Sequence, residues 1–123
     1  MVAKHFINDP QALVLSALKA LTYTNPSVAL DAENKIIYLR PDSSNAPQVS
    51  LISGGGSGHE PSFAAFVGKG LLAGSVSGTI FASPSAEQIR RCVTKRVDVS
   101  KGVLVIVMNY TVSRENKTDC SSL

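Results

Sequence analysis

The sequence predicts an α/β fold, a parallel-type sheet with flanking helices. Three observations carry this. Asp9–Pro10 and Ser83–Pro84 each combine a capping residue with a proline, ahead of apolar stripes at helical spacing. Short apolar runs bounded by glycine and proline alternate with those stripes. Val103–Met108 is a continuous apolar, largely β-branched run, with the length and branching of a buried parallel strand. Strand, helix, strand, helix, strand is the order that a parallel sheet requires.

The elements follow in turn. Asp9 can cap free backbone N–H groups, and Pro10 is preorganised for the first helical position. Val14, Leu18 and Leu21 repeat at helical spacing, with Ala17 on the same stripe. Pro26 disfavours helical backbone at Asn25, so the helix ends before that pair. Ile36 to Arg40 reads as a short strand and Pro41 to Pro47 as a loop. Val49 to Ile52 is a second strand that enters a glycine-rich loop, Ser53 to Pro61. Pro61 opens a short helix through Val67, which Gly68 and Gly70 end. Leu72 to Ser77 is a strand of small residues. Ser83 and Pro84 open the next helix, whose buried stripe is Ile89, Cys92 and Val93.

A chain of 123 residues is one modest domain or part of a larger one. Apolar residues at 44% support a core, while charged residues at 17% fall below the usual quarter. No apolar run approaches the ~18 residues of a membrane span. The opening residues lack an apolar stretch followed by a small-residue cleavage site, so no secretory signal is expected. The formal charge is +3, and the one dense basic cluster, Arg90, Arg91, Lys95 and Arg96, reads as a solvated helix face. No nucleic-acid-binding module accompanies it. Tryptophan is absent and aromatics are 6%, which argues against stacking on single strands. Cys92 lies on an apolar stripe and Cys120 in a polar tail, so neither a disulfide framework nor a zinc site is expected. The expectations are a reducing, cytoplasmic setting, no nucleic-acid partner, no membrane and no metal.

The chemistry concentrates in Ser53-Gly54-Gly55-Gly56-Ser57-Gly58-His59-Glu60-Pro61, between a strand and a helix. Glycines let a ligand approach the backbone, and consecutive N–H groups can form a nest for an anion or hydroxyl. The segment lacks the Gly-Lys-Ser/Thr ending of a P-loop, and His59 stands where a dinucleotide fingerprint needs its last glycine. Ser57 sits in Gly-Ser-Gly rather than in a nucleophile elbow. His59 is the candidate general acid or base. The bland reading has His59 and Glu60 merely capping the following helix; the glycine context favours ligand handling. His5, near the start, reads as simply exposed.

The string Leu51 to Pro61 closely resembles the dihydroxyacetone (glycerone) kinase family, in its substrate-binding K domain. Phe6-Ile7-Asn8-Asp9-Pro10, Gly68-Lys69-Gly70-Leu71-Leu72, Phe81-Ala82-Ser83-Pro84 and Asn109-Tyr110-Thr111 are similar to other segments of that family. The resemblance implies ATP-dependent phosphorylation of dihydroxyacetone or glyceraldehyde, in glycerol metabolism. It implies that Gly56, Ser57, Gly58 and His59 contact the substrate hydroxyls and that His59 assists proton transfer. It also implies a covalent histidine further along and a separate helical domain that binds ATP with magnesium. Neither lies in this chain, which is expected to bind no cofactor itself. Family members dimerise.

Two departures stand out. The family usually reads Lys-Asn-Tyr-Thr-Gly-Asp where this chain has Met108-Asn109-Tyr110-Thr111-Val112-Ser113. Met108 replaces a substrate-contacting lysine, and Ser113 an aspartate that polarises the substrate hydroxyl. Residues 1–111 are therefore expected to be the N-terminal portion of an incomplete substrate-binding domain. Residues 112–123 read as an unrelated polar tail. Val112–Ser113 can be encoded with a splice-donor sequence, and the tail reads as translated intron; a short isoform or a frameshift is the competing explanation. The leading expectation is a substrate-binding portion that is inactive alone. The alternatives are a non-catalytic polyol- or phosphate-binding regulatory module, and a fragment that aggregates through an uncovered sheet.

Overall fold

The computed structural model describes residues 9–44, 46–59 and 63–108. The expected roles of His5, Glu60, Pro61 and Cys120, and the tail from 112 to 123, lie outside these residues. The order is α1 (Pro10–Thr24), β1 (Val28–Asp31), β2 (Ile36–Leu39), β3 (Ser50–Ser57), a 3₁₀ turn (Ala64–Phe66), β4 (Gly74–Ile80), α2 (Ala86–Lys95) and β5 (Val103–Ile106). The strands form one sheet in the order β1-β2-β4-β3-β5. β3 runs parallel to both β4 and β5, whereas β1 and β2 pair antiparallel with each other and β2 antiparallel with β4. The α/β class holds, and the sheet is mixed rather than wholly parallel.

The antiparallel part comes from a hairpin that the sequence pattern did not show. Val28–Asp31 is a short strand whose last residue, Asp31, also shapes the turn. Its carboxylate accepts from the backbone and side-chain N–H groups of Asn34. Lys35 completes the turn at φ +53°.

Alternation along the strands divides the core between the two sheet faces. Val28, Ile37 and Leu72 meet Val14 and Leu18 of α1, together with Ala64 and Val67. Ile36, Ile52 and Val76 meet Cys92 of α2, with Ile89, Val93, Val103 and Val105 around them. Ala17 is exposed, so the stripe of α1 is narrower than its periodicity suggested.

α2 begins two residues later than Ser83–Pro84 implied. Ser85 is its cap: the hydroxyl accepts from the Gln88 backbone N–H while Gln88 Oε1 accepts from the Ser85 N–H. This reciprocal box satisfies two otherwise orphaned donors. Gln88 also donates to the carbonyls of Asn34 and Ser77, which ties the helix start to the hairpin and to β4.

The basic cluster is not one solvated face. Arg90 and Arg91 hold Glu87, and their hydrogen bonds, Arg90's first, bring its carboxyl down to about 2. Arg96 turns inward, donates to Asp31 from Nε and Nη2, and lies 5.3 Å from the centre of the Tyr38 ring.

Among the described residues β5 is the edge of the sheet, and only one of its faces is covered by them. Val103 and Val105 pack on the α2 side. Leu104 and Ile106, on the other face, are 55% and 48% exposed. The expectation of a buried strand over Val103–Met108 is corrected accordingly: the strand is Val103–Ile106, half-buried on one face and exposed on the other.

Cys92 is fully buried, and burial pushes its thiol up to about 12, with Arg96's charge opposing and Asp31's reinforcing the rise. Thiolate is the reactive form, so Cys92 should be inert in the native state. In a Cys120→Ser variant at neutral pH, a thiol reagent should label the chain only as denaturant unfolds it. Rapid labelling without denaturant would contradict this burial.

Candidate functional site

The glycine-rich segment is mostly strand. β3 continues through Gly54, Gly55 and Gly56 to Ser57, so a loop begins only at Gly58. The expected nest of N–H groups in a loop does not extend over Ser53 to Ser57, which are strand. Two features of the sheet open the end of β3. Among the described residues, pairing with β5 stops at Ser53↔Ile106, so Gly54 to Ser57 run on past the last described partner on that side. Pairing with β4 shifts register between Gly55 and Ser57.

The chain leaves β3 on one side to reach β4, then crosses back over to β5 on the other. The β3/β5 boundary is thus a topological switch point. In open α/β sheets the crevice beyond the carboxyl ends of the strands at such a point is where ligands bind. Ser53 closes its floor, the Oγ donating to the Ile106 carbonyl at 2.9 Å. A methyl on Gly55 would lie 3.2 Å from Phe63 Cε2 and 3.4 Å from Met108 Cε, so these side chains close over the backbone there and form one wall of this end of the sheet. Met108 makes that wall apolar, at the position where the resemblance implied a lysine.

The four candidate residues come together at this end. Gly56 packs beneath Ala82, and a β-carbon there would sit 2.9 Å from the Ala82 nitrogen. Ser57 is buried, and its hydroxyl donates to the Gly78 carbonyl at 3.1 Å. That hydroxyl holds β3 to β4, and the Ser57 carbonyl accepts from the Phe81 N–H at 2.7 Å, so the Ser57 side chain is engaged within the sheet. Gly58 turns the chain at φ +114°, where an L side chain is strained. His59 is exposed beyond it, its ring 5.2 Å from that of Phe81 at 63°. Ser113 lies outside the described residues.

Sequence reasoning missed Phe81 as a neighbour of the site and marked Met108 only as a departure from the family pattern. Phe81 follows the carboxyl end of β4, and Met108 lies just beyond that of β5. The available signal was their place directly after strands, which becomes visible only once the strand ends are known.

A second concavity, a cavity of about 360 Å³, lies at the opposite end of the sheet. Its lining includes Arg40, Gln48, Ser50, Ala73, Lys95 and Asp98. It gathers amino ends of the parallel strands, where fold logic does not place ligands. Among the described residues no helix is long and apolar enough to cross a membrane.

Comparison with known proteins matches residues 19–114 to the Dak1 domain. The chain is 49% identical over 112 residues to dihydroxyacetone kinase 1 of Saccharomyces cerevisiae, covering 90% of this chain and 18% of that one. It is 41% identical to the dihydroxyacetone-binding subunit DhaK of the PEP-dependent kinase of Escherichia coli, covering 88% of this chain and 30% of that subunit. Among solved structures it is similar to the dihydroxyacetone kinase of C. freundii, at TM-score 0.82 and 33% identity over 98% of this chain and 23% of that one. It is also similar to the dihydroxyacetone kinase operon co-activator DhaQ, at TM-score 0.76 and 32% identity over 87% of this chain and 32% of that one. The chain thus spans less than a third of the length of each of these relatives. With the family match over residues 19–114 and the likeness of fold in agreement, the chain belongs to the Dak1 domain family.

Proposed function

We propose that this chain supplies the N-terminal part of a dihydroxyacetone-binding site in a cytoplasmic dihydroxyacetone kinase. The observation that carries this reading is the carboxyl end of β3 beyond Ser53↔Ile106, at the switch point of the sheet, with the glycine-rich strand end running on to an exposed His59. The ligand is a small polyhydroxy ketone, which backbone groups of Gly56, Ser57 and Gly58 can hydrogen-bond at close range. His59 contacts a hydroxyl and moves its proton as the phosphoryl group is transferred. ATP and magnesium are held by a separate part of such an enzyme. Phosphoryl transfer is mainly a matter of positioning. This chain alone, which spans 18% of the yeast relative, therefore binds substrate without turning it over.

Titration calorimetry and a coupled kinase assay test this together. Dihydroxyacetone should bind the chain, and His59→Ala should weaken binding about twofold to tenfold, the worth of one hydrogen bond. No ATP-dependent turnover should appear. An unchanged affinity in the variant, or turnover by the chain alone, would contradict the proposal. A second reading is favoured by the similarity to the operon co-activator: a non-catalytic module that binds a polyol or phosphate and regulates a partner. Tighter binding of glycerol or inorganic phosphate than of dihydroxyacetone would support that reading.

A further inference from the structure

Phe81 is an unusual residue to find where it is. It takes φ +53°, a left-handed conformation that costs a bulky L residue steric energy. The other non-glycine with positive φ among the described residues is Lys35, in the hairpin turn. Burial does not explain Phe81, since 71% of it is exposed. A strained and exposed aromatic side chain must be held by something other than the core, and such strain gathers at functional sites.

What the conformation achieves is local. The Phe81 N–H donates to the Ser57 carbonyl at 2.7 Å, joining the ends of β3 and β4 just past the register shift. With the backbone so fixed, the ring lies over Gly58; a β-carbon there would be 2.7 Å from Phe81 Cε1. The same ring meets the His59 imidazole edge-on at 5.2 Å. His59 is otherwise exposed on a glycine hinge, where its ring would sample several rotamers.

The geometry points to Phe81 as a positioning residue for His59. Its left-handed backbone aims the aromatic ring so that the imidazole is held at the mouth of the crevice. The inference rests on the site proposed above, but the contact it invokes exists without ligand. It also gives Gly58 a second reason to lack a side chain: the ring occupies that space.

The test uses the 123-residue chain with Phe81→Ala, Phe81→Gly and Phe81→Tyr, each checked for native amide dispersion. The first readout is the ring-current shift of the His59 imidazole protons, assigned with a His5→Gln variant, in the absence of ligand. Phe81→Ala and Phe81→Gly should both move these resonances toward free histidine, while Phe81→Tyr should keep them. Phe81→Gly should melt above Phe81→Ala because glycine relieves the backbone strain. The second readout is affinity for dihydroxyacetone, which should fall about threefold to tenfold in the alanine and glycine variants, the size of one aromatic contact, and recover in tyrosine. Imidazole resonances that stay in place in folded Phe81→Ala would overturn the inference, whatever the affinity does. If the resonances move but the wild-type chain binds no dihydroxyacetone, the positioning role stands and the site reading fails.

Discussion

Gly54→Ala should cost the chain most of its stability. A β-carbon at Gly54 would overlap the Val76 carbonyl oxygen of β4 and come within 3.0 Å of the Val76 nitrogen and carbonyl carbon. The obstacle is backbone inside a paired ladder, at the Gly54↔Val76 register position, so no side chain can swing aside. Overpacking against movable neighbours costs about 1–3 kcal/mol, and an immovable one places this substitution at or above the upper end. Domains of this size have about 5–15 kcal/mol in total. Urea denaturation should show a large drop in midpoint, or no cooperative transition at all. Gly68→Ala is the control, since nothing lies within 4 Å of a β-carbon there; it should leave the midpoint nearly unchanged. Equal midpoints for both variants would contradict the close approach of β3 to β4.

The second large effect is expected at Asp31. Its carboxylate is buried at the end of β1 and accepts from Arg96 Nε and Nη2 at 2.9 and 2.7 Å, as well as from Asn34. Asp31→Ala would strand these donors and unlink the hairpin from the end of α2. A fully buried pair broken on one side costs about 3–5 kcal/mol. The Arg96 side chain is 36% exposed and can turn back to water, so about 2–3 kcal/mol is expected. The pair also sets a pH dependence. Burial alone would raise the Asp31 carboxyl; the hydrogen bonds from Arg96 and Asn34 and the charge of Arg96 outweigh it and leave the carboxyl below its ordinary 3.8. A depressed folded value stabilises the fold fully above the unfolded value and ceases to do so as the pH falls through it. Denaturation midpoints should therefore fall on acidification below 3.8, and less steeply in Asp31→Asn. Glu87 adds a contribution of the same sign, so the slope should shrink rather than vanish. Identical acid limbs in the two proteins would contradict the role given to this pair.

The parts of the fold that were legible are those fixed by local chemistry. Pro10 and Asn25–Pro26 bracket α1, and the Ile89, Cys92 and Val93 stripe marks α2. The misplaced start of α2 was also written locally, since Ser85 and Gln88 have capping-box spacing; the nearby Ser83–Pro84 offered a competing signal. β1 was hidden because it is short and takes its place through pairing with β2. The glycines of β3 read as loop because a residue without a side chain shows no alternation. What makes them strand is β4 and β5 alongside, at positions far removed in the chain. The site divides in the same way. His59 stood out through its glycine context. Phe81 did not, because its approach depends on the β3–β4 register and on the bond from its N–H to Ser57.

Mapping dihydroxyacetone onto the chain by backbone amide shifts tests most directly whether the carboxyl end of β3 is the binding site. The shifts should concentrate at Gly56, Ser57, Gly58 and His59, and extend to Phe81, Ala82 and Met108. Shifts confined to Arg40, Gln48 and Lys95, around the cavity at the opposite end of the sheet, would contradict that placement.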